Sequence, residues 1–307
     1  MRALVTGAAG FIGGSIARAL ERQGWAVHAD PRHGSPRGPL TVASLRHALD
    51  GQAPDAIVHA AGSGTVGRVA ADPAVELSAN MRSLVEVLEY ATTHAPLTQV
   101  VLLSSASVYG NAPPVPQRED DARMPISLYG LVKAQLEQAG AFYALQHRLS
   151  VTTVRLFSVY GPGLRKQLLW DAMKKFQAGR SDFFGTGTEQ RDWVHIDDVC
   201  DFVSALLAHR TNVQLLGNVP AGTPFTVLNC AAGQAPTNAD VLAHLARAAG
   251  APAPVFNGQT RPGDPQCLFA DCTQARMQIG WRARVAWQDG LSDYARWFAH
   301  DPAGSSA

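Results

Sequence analysis

Short, continuously apolar runs alternate along this chain with longer stretches whose apolar residues recur every three or four positions. Arg2–Thr6 reads as a buried strand, followed by a glycine-rich turn from Gly7 to Gly13. Ile12, Ile16, Ala19 and Leu20 then mark one face of a helix that Gly24 stops. Trp25–Ala29 predicts a second strand ending at Asp30, and the Pro-, Gly- and Arg-rich stretch from Pro31 to Pro39 predicts a loop. Leu45–Leu49 is a short helix, Ala56–Ala60 a strand, and Ala74–Thr93 a long helix. Val100–Ser104 is a strand, Tyr129–Gln146 a helix, and Val151–Leu156 a further strand. Strands that are apolar throughout and alternate with helices predict a parallel sheet covered on both faces.

After Gly161 the pattern changes. Leu168–Ala178 is helical, and Phe183–Phe184 and Phe225–Cys230 are short strands. Thr237 caps a helix running to Ala249, with Asp240 at the N3 position of a capping box. Leu291–Phe298 is a final short helix, and the tail from His300 is expected to fray. The fold class is therefore α/β, a doubly wound parallel sheet with a smaller, mixed α/β C-terminal substrate domain. Residues 1–160, with about 191–215, form the first domain; about 161–190 and 216–298 form the second; 299–307 are a flexible tail.

A length of 307 residues fits one dinucleotide-binding domain plus a smaller partner. The net charge of +1 gives no global field to recruit nucleic acid or an anionic membrane. No apolar run approaches the roughly 20 residues of a membrane span. A first strand at Arg2 leaves no room for a leader peptide, so a cytoplasmic protein is expected. The cysteines at 200, 230, 267 and 272 show no metal-like spacing, so no metal site is expected and reduced thiols are.

The turn reads Gly7-Ala-Ala-Gly10-Phe11-Ile12-Gly13, a G-x-x-G-x-x-G spacing between a strand and a helix. Gly7 permits the tight turn, Gly10 the approach of a pyrophosphate, and Gly13 close packing of helix on strand. The helix N-terminus then offers free N–H groups and a partial positive charge to phosphate. The first domain is accordingly Rossmann-type. Asp30 lies 20 residues after Gly10, where an acid accepts hydrogen bonds from the adenosine ribose and repels a 2′-phosphate. That favours NAD. Arg32 and Arg37, just beyond, leave NADP open.

Tyr129-Gly-Leu-Val-Lys133 places a phenol and an ammonium on one helix face. A nearby cation is expected to lower the phenol's pKa and let it serve as acid and base. The hydroxyl-rich segment Ser104-Ser105-Ala-Ser107-Val-Tyr109-Gly110 follows a buried strand, at the end where such sheets bind ligands.

With these segments stand His59-Ala60-Ala61, Arg155–Gly163 (RLFSVYGPG), Arg191–Asp198 (RDWVHIDD) and Arg261–Asp264 (RPGD). Together they resemble the extended short-chain dehydrogenase/reductase family, in its nucleotide-sugar epimerase, dehydratase and reductase branch, over residues 2 to about 298. The resemblance implies that Ser105, Tyr129 and Lys133 are catalytic. It implies a cofactor site of Gly7, Gly10, Phe11, Ile12, Gly13, Asp30, Arg32, Ala60, Ala61, Asn80 and Ser104, with Tyr129 and Lys133. It implies a nucleotide-diphosphate-sugar site including Ser107, Ser158, Arg191, Arg261 and Asp264, the arginines gripping the diphosphate through charge-assisted bonds. Asp192, Asp197, Asp198 and His195 are expected to brace the chain where the domains cross, and His59 to pack beside the cofactor. Trp170, Phe183 and Phe184 offer either a stacking face for a nucleobase or core packing.

The chain departs from the family pattern in places. Ser107 stands where dehydratases carry an acid, which argues against a 4,6-dehydratase. Ser158 replaces an asparagine on the sugar side, and Gly38–Thr41 lacks the family's adenine-binding aspartate. The leading expectation is an NAD-dependent nucleotide-sugar epimerase working through transient oxidation at C4. The alternative is an NAD(P)H-dependent reductase of a nucleotide 4-keto-6-deoxy sugar, in keeping with the short Asp30–Ala56 connection. A third reading is a catalytically silent dinucleotide-sensing regulator; a fourth, an oxidoreductase of a non-nucleotide ketone, is opposed by Arg191 and Arg261. A homodimer through the Ala74–Thr93 and Tyr129–Gln146 helices is expected from the resemblance.

Overall fold

The computed structural model describes residues 1–30, 39–62, 72–111, 113–215, 225–260 and 265–301. Six parallel strands form the central sheet: β1 (Arg2–Thr6), β2 (Ala26–Asp30), β3 (Ala56–His59), β4 (Gln99–Ser105), β5 (Ser150–Leu156) and, far along the chain, β10 (Phe225–Cys230). Their order across the sheet is β10-β5-β4-β3-β1-β2. The order reverses at β1, whose two neighbours are β2 and β3. That reversal opens a crevice at the strand C-termini, where open α/β sheets bind ligands.

Alternation along each strand explains why the runs are apolar throughout. Ala3, Val5, Val58, Val101 and Val154 face one cluster, which the helices α1 (Phe11–Arg22), α6 (Ile196–Leu215) and α8 (Thr273–Ile279) complete. Leu4, Ile57, Val100, Leu102 and Val151 face the other, covered by α2 (Val42–Ala48), α3 (Pro73–His94) and α4 (Leu128–His147). Both faces are dry, so neither can be polar. A third cluster joins α5 (Gln167–Gln177), α7 (Asn238–Ala249) and α9 (Trp287–His300) through Leu169, Met173, Phe176, Leu242, Leu245, Leu291 and Phe298. Three short parallel pairs link this region together: β6 (Ser158–Tyr160) with β9 (Trp193–His195), β7 (Asp182–Phe183) with β11 (Val255–Phe256), and β8 (Gln190–Arg191) with β12 (Cys267–Leu268). Among the described residues no helix is long and apolar enough to cross a membrane.

Two expectations are corrected. Phe225–Cys230, placed with the smaller unit by the sequence pattern, is the outer strand of the main sheet, in register with β5 from Phe225↔Val151 to Cys230↔Leu156. Leu228, Cys230, Ala275 and Trp281 pack into the first cluster, so residues 225–230 and 273–281 belong to the larger unit. A six-residue strand pattern carries no mark of the sheet it will join. Residues 299–301, placed in a flexible tail by the sequence pattern, are ordered. His300 ends α9, and Asp301 is buried, held by Arg165 through Nε at 2.8 Å and Nη2 at 2.6 Å. The capping box is as expected: Thr237 accepts from the Asp240 N–H at 3.1 Å, and Asp240 accepts from the Thr237 N–H at 3.1 Å.

Candidate active site

The glycine turn leaves β1 with Gly7 at φ +70, in the left-handed region. A Cβ at Gly7 would stand 2.7 Å from the Ala61 nitrogen, and one at Gly13 would stand 2.5 Å from the Gly7 oxygen. Both glycines are therefore steric necessities that seat α1 against Ala60 and Ala61. Gly10 is the N-cap of α1, and no side chain caps it. The helix thus presents its first N–H groups toward the crevice. Phe11 packs against Gly163, from which a Cβ would lie 3.4 Å from the ring, and the Ile12 side chain packs on the first core cluster. Thr6 and His59 share a 2.9 Å hydrogen bond, and Thr6 Oγ1 also accepts from the Ala61 N–H at 3.2 Å. His59 is thus a packing group behind the turn. Asp30 is buried at the end of β2, and its carbonyl accepts from the Ala8 N–H at 3.0 Å.

The predicted catalytic residues meet at the C-terminal end of β4. Ser105 caps a short 3-10 turn (Ala106–Val108), its Oγ accepting from the Ser107 N–H at 3.2 Å and from the Ser107 hydroxyl at 3.0 Å. Tyr129, in the first turn of α4, hydrogen-bonds Ser105. Lys133 is one helical turn further on; its Nζ donates to the Leu103 carbonyl at 3.1 Å and lies 5.9 Å from the Tyr129 ring centre. Gly130 makes this approach feasible, because a Cβ there would stand 2.5 Å from the Ser107 oxygen. Asn80 of α3 donates to the Glu76 carbonyl at 2.6 Å, and its Oδ1 abuts Gly62 just after β3, close to Lys133.

The electrostatics differ from expectation. Lys133 was expected to lower the Tyr129 pKa. Burial instead raises it, and the bond with Ser105 is what pulls it back part way. The ammonium is anchored on the β4 backbone. Burial pushes Lys133 itself down to about 8, against the opposing pull of Glu137. At neutral pH it remains mostly cationic.

The Ser104 hydroxyl donates to Glu137 Oε1 at 2.6 Å. Glu137 belongs to a buried network that the sequence reading missed. Arg155 donates to it from Nε at 3.0 Å and Nη2 at 2.9 Å. Arg155 Nη1 donates to the Tyr109 hydroxyl at 2.9 Å, and Tyr109 donates to Asn229 Oδ1 at 2.7 Å. A signal was present: an arginine inside a strand buried on both faces requires an anionic partner.

On the substrate side, Ser158 is half-buried on β6 and its N–H donates to the Asp192 carbonyl at 2.9 Å. Arg191 lies on β8, its Nη1 donating to the Gln190 carbonyl at 2.9 Å. Asp192 is a brace, accepting from the N–H groups of Ala232 at 2.7 Å, Gly233 at 2.9 Å and Ala270 at 3.2 Å. Burial pushes its carboxyl up to about 7 against those donors. Asp198 likewise holds the N–H groups of Arg284 at 2.9 Å and Val285 at 3.1 Å. His195 is buried against Tyr160, with ring centres 5.3 Å apart. Asp197, by contrast, is exposed. Phe183 packs on Phe176 at 5.6 Å as a core group, Trp170 is partly buried against Phe298 at 5.0 Å, and Phe184 is exposed. Arg32, Arg261 and Asp264 lie outside the described residues, although β12, three residues beyond Asp264, pairs with the strand that carries Arg191.

This crevice, a glycine turn facing a serine, a tyrosine and a lysine at the end of a parallel sheet, has the form of a dinucleotide-dependent oxidoreductase site. Residues 3–218 match the NAD dependent epimerase/dehydratase family, and the chain belongs to it. A probable UDP-glucuronate 4-epimerase of Rhizobium meliloti is 27% identical over 333 residues, covering 97% of each chain. A dTDP-glucose 4,6-dehydratase of Streptomyces griseus is 28% identical over 323 residues, covering 96% of this chain and 93% of the relative. The solved structure of MoeE5 in complex with UDP-glucuronic acid and NAD is 29% identical, with a TM-score of 0.82, and covers 97% of this chain and 99% of that one.

Proposed function

We propose that this chain is an NAD-dependent nucleotide-sugar 4-epimerase. The observation that carries the reading is the meeting of Ser105, Tyr129 and Lys133 at the end of β4, opposite the uncapped N-terminus of α1. The turn fits a dinucleotide: its glycines keep Cβ atoms out of a cradle that leaves helix N–H groups free for a pyrophosphate. NAD bound there supplies a reversible hydride acceptor for C4 of the sugar. Tyr129 takes the proton of the C4 hydroxyl and later returns one. Ser105 holds the sugar oxygen and shares the proton with Tyr129. Lys133 keeps its charge at neutral pH and favours the phenolate as it forms. Arg191 and Arg261 take the substrate diphosphate. Ser107, a neutral hydroxyl bonded to Ser105, supports epimerisation over water elimination, which needs an acid at that point.

The buried acid Asp30 at the end of β2 supports NAD over NADP. A homodimer through α3 and α4 is part of the proposal. Leu131, Phe142 and Leu145 form an exposed apolar stripe on α4, which supports it. A cytoplasmic location and a role in polysaccharide biosynthesis follow from the same reading. The test is to incubate the purified protein with UDP-glucuronate and with UDP-glucose and to follow C4 inversion. Inversion without net consumption of added nicotinamide is expected. A protein inert toward both that instead oxidises NAD(P)H stoichiometrically when given a nucleotide 4-keto-6-deoxy sugar would favour the 4-keto reductase.

A further inference from the structure

Ser104, Arg155 and Asn229 stand side by side on β4, β5 and β10, paired in register across three strands. This polar row lies one residue before Ser105, and nothing in the proposed chemistry uses it. Glu137 reaches the row from α4. It is eight residues after Tyr129 and four after Lys133, so all three share one face of the helix. Its Oε1 takes both the Ser104 hydroxyl at 2.6 Å and Arg155 Nε at 3.0 Å. Its Oε2 takes Arg155 Nη2 at 2.9 Å and Arg123 Nη1 at 3.4 Å. The carboxylate is fully buried, and a network satisfied in this way is rigid.

We infer that Glu137 is a positioning residue that, through Ser104, locks the register of α4 against β4 and so the reach of Tyr129 and Lys133 to Ser105. One peptide bond joins Ser104 to Ser105, and one turn of helix joins Glu137 to Lys133. A shift of α4 along the sheet would break the Ser104 bond and displace the phenol together. The inference rests on the epimerase reading for its activity readout, whereas its second readout, the Lys133 titration, needs no substrate.

Ser104→Ala removes one bond to the carboxylate and leaves the Arg155 pair intact, so the fold should be little affected. We expect kcat on UDP-glucuronate to fall about tenfold or more, since small misplacements are costly in oriented catalysis. KM should stay within about twofold, because uniform binding is untouched. The second variant, Glu137→Gln, keeps the shape and removes the charge. Lys133 is faced by Tyr129 and Glu137 from its own helix, by the Leu103 carbonyl of β4 and by Asn80 of α3. Among these groups Glu137 is the carboxylate whose charge favours the ammonium, so Glu137→Gln should move the Lys133 titration, followed by NMR of labelled lysine without substrate, to lower pH than in the wild type. An unchanged kcat in Ser104→Ala together with an unmoved Lys133 midpoint in Glu137→Gln overturns the inference. Wild-type protein inert toward the UDP-sugars would count against the epimerase reading, and the lysine titration would then decide this one.

Discussion

Removing the charge of Glu137 isolates the energetics of the buried network. In Glu137→Gln the Arg155 guanidinium, with 3% of its side chain exposed, is left without a counter-ion. Breaking one half of a buried pair costs about 3–5 kcal/mol, most of it the burden of the remaining charge. Unfolding entropy near 2.1 cal/mol/K per residue, over 307 residues, amounts to about 0.6 kcal/mol/K near the melting point. The loss therefore corresponds to a fall in Tm of about 5–8 °C. Replacing both members, as Glu137→Leu with Arg155→Met, removes the orphan charge and should recover at least half of the loss, because buried pairs contribute little beyond apolar packing. Thermal melts by circular dichroism, with urea titrations at 25 °C, measure both. A single variant melting within about 1 °C of the wild type, or a double variant less stable than the single, would refute the reasoning.

Other consequences are equally direct. Gly110→Ala places a Cβ 1.8 Å from the Met124 oxygen at φ +71, and should destabilise by about 2–5 kcal/mol in a urea titration. Gly13→Ala forces α1 away from the Gly7 carbonyl, and should weaken NAD binding by about tenfold or more in a fluorescence titration while leaving most helix content by circular dichroism. Lys133 has a folded pKa of about 8, lowered by burial, so its cation is lost as pH rises through that value; kcat/KM should fall on an alkaline limb near pH 8. The same depression means that stability rises over the window from about 8 to the ordinary lysine value of 10.5, where the unfolded chain alone still binds the proton. Asp301→Ala releases Arg165 and should speed hydrogen exchange at the end of α9.

How much of this was legible in the sequence depends on how local the determining force is. Periodicity and turn chemistry are local, so β1, the glycine turn, α1, the Thr237 cap and the Tyr129–Lys133 face were all readable. The stripe Val199, Phe202, Val203, Leu206 and Leu207, spaced for a helix, also carried α6, which the reading did not assign. Which sheet Phe225–Cys230 would join depends on packing against α6 and α8, and no pattern within the run encodes that. The bond that holds the Ser104 hydroxyl was not legible. Its partner, Glu137, lies 33 residues away and meets it only through the stacking of α4 on β4. The expected effect of Lys133 on Tyr129 assumed that spacing fixes where the ammonium points. The Leu103 carbonyl holds the ammonium, and burial of the phenol sets the net direction of its shift.

Whether C4 of a nucleotide sugar is the reacting centre is decided by proton NMR of UDP-glucuronate and UDP-glucose incubated with the wild-type protein and with Tyr129→Phe. The wild type is expected to bring at least one of them to a mixture with its C4 epimer with no lasting change in absorbance at about 340 nm, and the phenylalanine variant to lose about 100-fold or more of that rate. A wild type that inverts neither sugar, or a Tyr129→Phe variant that inverts one at the wild-type rate, would contradict the epimerase reading.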